Sequence, residues 1–188
     1  MIDFTALRNL ASELAVMAVG DKLSQFDASG NPSVIREYNS TDKPAYPFIT
    51  YDVRHYGSDN QRPINNYFDD EDRLVYEFLE NIDFKYCCKG DKSLEIISQL
   101  YNYLKLPSIR ERISARVKGL SIQTLMTIKP APVVYGTQFV EEHSFIVRLN
   151  LLNTVVDPFT KTIDSAEVTA CVIGDTETTT FTFDIPTP

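Results

Sequence analysis

The sequence predicts an α+β fold: a mixed or antiparallel sheet flanked by two or three helices, followed by a β-rich C-terminal extension. Two patterns of apolar residues predict it. Spacings of three and four mark a helix near the N-terminus and another in mid-chain, and alternating apolar residues mark strands between and after them. The chain has 188 residues, 43% of them hydrophobic and 23% charged, which is typical of an ordered globular protein.

The first helix is predicted from Asp3 to about Val19, with Asp3 as its N-cap. A turn-rich loop at residues 27–32 follows it. In Tyr46–His55, apolar and polar residues alternate behind two prolines that keep the entrance extended. This pattern predicts a strand with one buried face.

The polar stretch Tyr56–Asp72 predicts a long loop, in which the acidic run Asp69–Asp72 is interpreted as solvated. Alternation then resumes and predicts one long strand, Leu74–Tyr86, with a bulge near Glu80–Asn81.

Helical spacing returns from Asp91 to Leu106, with Asp91 or Ser93 as the cap and Pro107 as the stop. A second short helix is predicted at Ser108–Arg116, with its arginines pointing outward.

Two further strands are predicted at Leu120–Ile128 and from Phe139 to about Val155, joined as a hairpin by the extended loop 129–136. Strand-like patches at Glu167–Ile173 and Thr178–Ile185 complete the chain, and their acidic, threonine-rich composition suggests edge strands or an arm.

The charge distribution is uneven. The formal net charge is −8, but the segment from Lys105 to Lys129 carries +5 and the rest of the chain −13. An acidic protein repels nucleic acid at long range, whereas one basic segment can dock an acidic surface, including that of another copy of the chain. A solvated helix face explains the basic segment equally well on charge alone.

Cofactor, metal and catalytic sites are not recognisable, and we expect none. The three cysteines include the neighbours Cys87 and Cys88, interpreted as small buried hydrophobes, and zinc-ligand spacing is lacking. The strongest catalytic candidate is His143, which shares a strand face with Glu141. Cross-strand pairing of His143 with a charged neighbour is the ordinary explanation, and a small enzyme using His143 stays open as an alternative.

A membrane span is not expected, because no apolar run approaches the length of about 18 residues that a bilayer requires. Acidic residues near the N-terminus argue against a signal peptide, so folding in a cytosol is expected.

The function is therefore expected to depend on contacts made by the protein surface and not on a reactive site. Aromatic residues in predicted loops and strand edges are candidate interface anchors. Together with the basic segment they predict contacts to another copy of the chain or to another acidic surface through six residues: Arg110, Arg112, Arg116, Lys118, Tyr135 and Phe159.

Four segments in this order carry a resemblance: the proline and aromatic entrance Pro44–Tyr51, the strand Leu74–Tyr86, the helix Ser93–Leu104 and the strand Glu141–Leu149. Over roughly residues 1–155 this layout resembles the neck or tail terminator proteins of tailed bacteriophages. The chain continues beyond the last matching strand, so residues 156–188 are interpreted as a C-terminal extension or interaction arm.

The resemblance implies an α+β virion protein, assembled in the host cytoplasm, six copies of which form a ring at the neck. Such a homohexamer would cap the finished tail tube and join it to the head-to-tail connector or head completion protein, touching the sheath protein if the tail is contractile. DNA would pass through the lumen without specific binding. Another tail, adaptor or baseplate component of the same kind of particle is the alternative.

Overall fold

Three helices lie on one face of a mixed sheet, which confirms the predicted α+β fold. A computed structural model describes residues 2–26, 28–38, 44–58, 62–131, 133–135, 138–158, 165–171 and 178–184. The helices are α1 (Phe4–Val19), α2 (Ser93–Tyr103) and α3 (Pro107–Arg116), with a short 3-10 turn at Gly20–Lys22. The strands are β1 (Val34–Arg36), β2 (Phe48–Ser58), β3 (Asn65–Phe68), β4 (Leu74–Lys89), β5 (Leu120–Leu125), β6 (Lys129–Pro130), β7 (Val133–Tyr135), β8 (Gln138–Val140), β9 (Glu142–Val156), β10 (Ser165–Cys171) and β11 (Thr178–Asp184).

The main sheet has the order β1-β2-β4-β9-β5, with β3 pairing with β4 and β6 pairing with β9. The pair β1–β2 is parallel and the pairs β2–β4, β4–β9 and β5–β9 are antiparallel. The long strands β4 and β9 pair without interruption from Val75 opposite Val156 to Lys89 opposite Glu142. These two strands form the spine of the molecule.

The core lies between the helices and one face of the sheet. In β9 every second residue from His143 to Leu151 is buried, as the alternation predicts, because Phe145, Val147 and Leu149 face the helices. The hydroxyl of Tyr86 on β4 is buried beneath α1 and donates a hydrogen bond to the carbonyl oxygen of Ala11 at 3.0 Å. This bond satisfies a polar group that would otherwise be unpaired inside the core.

The helix boundaries confirm most of the sequence predictions. Asp3 caps α1 by accepting hydrogen bonds from the backbone N–H groups of Thr5 and Ala6. The predicted cap of α2 is wrong, because the N-cap is Lys92, in the left-handed conformation at φ 61°. Pro107 stands after α2 as expected, but it also begins α3, where the missing N–H of proline is harmless.

Two predicted loops contain strands. The region after Tyr46–His55 was expected to be a loop, but β2 runs on to Ser58 and β3 pairs with β4. The bulge predicted in β4 lies instead in the neighbouring strand, between His55 and Gly57 of β2. Part of the loop 129–136 is also strand: β6 pairs with β9, and β7 forms a small hairpin with β8.

The predicted C-terminal strands are present as β10 and β11, which pair with each other in an antiparallel two-stranded sheet. Residues 172–173 and 185 of those predictions lie outside the described residues.

The open face is the face of the sheet opposite the helices. The distal end is the end of the sheet formed by β3, the beginning of β4 and the end of β9.

Candidate assembly surfaces

The basic surface lies on α3 and the turn that follows it. Arg110, Arg112 and Arg116 are exposed, as predicted, because Ile109 and Ile113 occupy the buried stripe of the helix. Lys118 is exposed just after the helix.

Two of these arginines already have a partner within the chain. Glu13 of α1 accepts a hydrogen bond from Arg112 at 2.7 Å through one carboxylate oxygen and from Arg116 at 3.0 Å through the other. The hydrogen bond from Arg112 is the main cause of a lowered pKa of the Glu13 carboxyl, and Arg116 adds to it. Sequence reasoning missed Glu13, because no local signal connects it to α3.

The remaining predicted interface residues are not brought together by the described structure. Tyr135 lies on β7, opposite Gln138 of β8. Phe159 lies outside the described residues. The grouping of all six residues in one interface therefore stays a prediction.

Ion pairs cover much of the open face. Arg148 of β9 binds Asp83 of β4 through two hydrogen bonds of 2.9 and 3.1 Å. Lys85 binds Glu37 at 2.9 and 3.2 Å. Similar pairs link Arg54 with Asp52 at 2.8 Å and Lys89 with Glu142 at 3.4 Å. Arg54, Lys85, Lys89 and Arg148 of this face are thus each paired with a carboxylate of the same chain.

Exposed apolar residues lie at the distal end, with the polar pair Glu77 and Thr154 between them. Leu79 and Leu152 lie directly opposite each other across β4 and β9, and each is 38% exposed. Other large apolar residues are exposed near this end at Ile64, Tyr67, Phe68, Val155 and Val156. Exposed apolar residues grouped in this way are typical of a binding surface.

The structure places His143 next to a residue that sequence reasoning did not consider. His143 is buried opposite Cys88 of β4, and its Nδ1 atom lies 2.8 Å from the Ser93 hydroxyl at the start of α2. Ser93, rather than a charged residue across the strands, is therefore its hydrogen-bond partner.

The geometry does not suit catalysis by Ser93. Glu141 lies 3.9 Å from the same Nδ1 atom, whereas a catalytic triad uses one ring nitrogen for the serine and the other for the carboxylate. Ser93 is also fully buried, so its hydroxyl is closed to a substrate. The arrangement is that of a satisfied buried polar pair.

The cysteine pair is buried as predicted, with Cys87 2% and Cys88 0% exposed. Burial raises the pKa of the Cys88 thiol to about 12, and burial and the nearby Glu142 carboxylate raise the pKa of Cys87 as well. Cys87 donates its S–H to Glu142 at 2.8 Å. Both thiols are therefore unreactive protonated groups at neutral pH.

The acidic run Asp69–Asp72 forms the turn between β3 and β4. Asp69 accepts hydrogen bonds from the backbone N–H groups of Glu71 and Arg73 and pairs with the Arg73 side chain. Across the described residues, His, Cys, Asp and Glu side chains form no group of three or more able to hold a metal ion.

The described surfaces suit contacts with other proteins: one sheet face carries ion pairs, and one end of the sheet exposes apolar residues. Comparison with protein families matches residues 8–177 to the family Phage neck terminator protein, and the chain belongs to this family. It is therefore a structural protein of the phage tail and neck. The match runs beyond residue 155, where the sequence-based resemblance ended, into the C-terminal segment.

A search of curated proteins found no match to the chain. Among the described residues, no helix is both long and apolar enough to cross a membrane.

Proposed function

We propose that this protein is the tail terminator itself: six copies form a ring at the neck that caps the finished tail tube and joins it to the head-side connector. The family match over residues 8–177 is the observation that carries the proposal. The partners are the neighbouring copies, the tail tube protein, the connector or head completion protein and, in a contractile tail, the sheath protein. The protein assembles in the host cytoplasm and stays in the virion.

The charge pattern supports a ring traversed by DNA. A lumen that bound phosphates through free arginines or lysines would slow the passage of DNA. The chain has a net charge of −8, and Arg54, Lys85 and Arg148 on the open face are each paired with a carboxylate. The exposed basic residues of α3 are assigned to a subunit or tube neighbour and away from the channel.

The segment 156–188 is assigned to an arm that contacts a neighbouring subunit or the sheath protein. The hairpin β10–β11 supports this assignment, because two strands alone are marginally stable and have edges open to pairing. Deleting this segment should reduce ring or virion assembly and leave the remaining domain folded. Unchanged assembly would contradict the arm.

Native mass spectrometry of the purified protein, alone and mixed with isolated tail tubes, tests the ring. The expected result is a six-copy species, formed in solution or on the tube end. A chain that stays monomeric under both conditions would overturn the proposal.

Electron microscopy of virions carrying a labelled copy tests the location. A label at the neck supports the terminator, and a label at the distal tip of the tail indicates a baseplate component instead. In phage lacking the protein, the cap function predicts tails of uncontrolled length that do not join to heads.

A further inference from the structure

A cavity of about 360 Å³ lies at the end of the sheet opposite the distal end. Three segments line it: residues 46–47 before β2, residues 90–91 between β4 and α2, and residues 139–141 at the passage from β8 to β9. The backbone N–H of Gly90 donates a hydrogen bond to the carbonyl oxygen of Glu141 at 2.9 Å, so the second and third segments are joined.

Two exposed aromatic side chains form part of the wall. Tyr46 is 44% and Phe139 is 70% exposed. Tyr46 is held in place from two sides: its ring stacks on that of buried Phe48 with the centroids 5.3 Å apart, and its Cβ atom lies where a side chain on Gly90 would be. The face of an aromatic ring attracts a cation, so these rings favour a basic group in the cavity.

Two exposed carboxylates belong to the same wall, those of Asp91 and Glu141. Among the described residues neither of them pairs with a lysine or an arginine, and the only basic neighbour of Glu141 is His143, at 3.9 Å. Lys92 follows Asp91 in sequence but lines the neighbouring cavity. Carboxylates next to aromatic rings suit a guanidinium group best, because it binds carboxylates through several N–H groups and stacks on rings.

The chain itself carries a matching group on α3. Three exposed arginines have no carboxylate partner among the described residues: Arg36, Arg62 and Arg110. Of these, only Arg110 belongs to the segment from Lys105 to Lys129, whose charge is +5 with Glu111 included. A segment of this charge is drawn toward an acidic surface at long range. Arg110 is therefore the arginine that fits the cavity best.

The arginine and the cavity of one chain are kept apart by α2. The cavity lies at the start of this helix, beside Asp91, and Arg110 follows its end. A helix of 11 residues is about 16 Å long. In the single chain Arg110 accordingly forms no ion pair with Asp91 or Glu141. A second copy of the chain can supply the arginine instead.

We propose that Arg110 of one copy binds in this cavity of the next copy, with its guanidinium group against the carboxylates of Asp91 and Glu141 and an exposed aromatic ring. The contact is head-to-tail, since each copy gives an arginine and receives one. Contacts of this type generate a ring when the rotation between neighbours closes. This inference rests on the proposed ring and names a contact that links its subunits.

Two full-length variants reverse the charge on either side of the contact. The arginine variant is Arg110→Glu, and the cavity variant carries Asp91→Arg with Glu141→Arg. Controls with the same change of charge lie elsewhere on the exposed surface: Arg36→Glu and Arg62→Glu for the first variant, and Asp70→Arg with Glu71→Arg for the second. Thermal unfolding followed by circular dichroism checks that each variant is folded.

Native mass spectrometry over a concentration series measures assembly, with tail tubes added if the wild type needs them. Each variant alone should need at least about tenfold more protein to assemble than the wild type, because like charges then meet in the contact. The controls should assemble like the wild type. An equimolar mixture of the two variants should assemble again, in species that contain both, because opposite charges meet in every contact.

Assembly of either variant at wild-type concentrations, or a mixture no better than its components, would overturn this contact while leaving the terminator proposal intact. Loss of assembly in a control would also contradict it. Cavity-variant rings that form normally but no longer bind tail tubes would overturn it as well and indicate the tube protein as the occupant.

The Arg110→Glu variant decides the proposal by itself if the cavity variant does not fold, since Arg110 is exposed and outside the core. A wild type that never assembles, even on tail tubes, would instead overturn the terminator proposal and this contact with it.

Discussion

Arg148 of β9 and Asp83 of β4 lie directly opposite each other in the sheet, joined by hydrogen bonds of 2.9 and 3.1 Å. The Asp83 side chain is only 3% exposed, whereas that of Arg148 is 35% exposed. Arg148 therefore supplies hydrogen bonds to a carboxylate that is largely closed to water, so the pair ties the two spine strands together in a single register.

Replacing Arg148 by methionine should lower the free energy of unfolding by about 3–5 kcal/mol, because a buried carboxylate loses its partner. Arg54→Met is the matched control: its partner Asp52 has a side chain that is 14% exposed, against 3% for Asp83, so its carboxylate keeps more contact with water and the expected loss is smaller. Urea unfolding followed by circular dichroism measures both. Equal losses in the two variants would contradict the importance of burial.

The ion pairs between Glu13 of α1 and the two arginines of α3 should stabilise the fold less at acidic pH. The pKa of Glu13 is lowered in the folded protein, so its ion pairs stabilise the fold above the carboxyl's ordinary pKa and are lost as the pH falls through the lowered value. The stability difference between wild type and Glu13→Gln should therefore shrink as the pH falls below about 4.5. It should also shrink with added salt, because the site is largely exposed. A difference independent of pH would contradict the pairing.

Charge reversal on α3 tests the basic surface as an interface. Arg112→Glu with Arg116→Glu should weaken oligomerisation or tail joining, but it also removes both partners of Glu13 and destabilises the monomer. Arg110→Glu with Lys118→Glu changes the same surface without breaking those pairs. This second variant should assemble at least several-fold more weakly at unchanged melting temperature. A hexamer of normal stability carrying either pair of changes would refute the assignment of those residues.

The Ser93–His143 pair should behave as a structural contact. His143→Phe and Ser93→Ala should each lower the free energy of unfolding by about 1–3 kcal/mol, because each leaves one buried polar group unpaired. The double variant should lose less than the sum of the two. His143→Ala should leave assembly intact at permissive temperature. Full stability of the single variants, with loss of an enzymatic activity, would support the enzyme alternative.

Gly90 should not tolerate a side chain. Its φ is +106°, and a Cβ atom there would lie 2.7 Å from the Cβ of Tyr46. Gly30, with φ +79° and Gln25 Nε2 at 3.6 Å, is the matched control. Both alanine variants should lose about 1–2 kcal/mol from the left-handed backbone, and Gly90→Ala more because of the contact. Equal melting temperatures would contradict the steric argument.

Local patterns were sufficient for much of the fold. The spacing of Leu7, Leu10 and Leu14 predicted α1, and the alternation of Phe145, Val147 and Leu149 predicted the buried face of β9. Periodicity reports which side of an element is buried, because burial of that side is what holds the element in place. The sequence did not predict β3. All four of its residues are exposed although it pairs with β4, so the strand lacks the alternation of buried and exposed positions that identifies a strand.

The candidate surfaces were predicted only in part. The basic residues of α3 were evident from the sequence, because the net charge of a segment can be counted without knowing the fold. Counting charges could not find Glu13, which is 99 positions from Arg112 in sequence. Ser93 and His143, 50 positions apart, were likewise separate observations until the fold joined them.

By itself the sequence determined the element types, the acidic balance and a layout characteristic of phage neck proteins, because these depend on short windows and on composition. The tertiary structure alone decided the ion pairs of the open face and the position of the exposed apolar residues at the distal end. Both depend on the register of β4 against β9, and register is set by long-range packing that no local window contains.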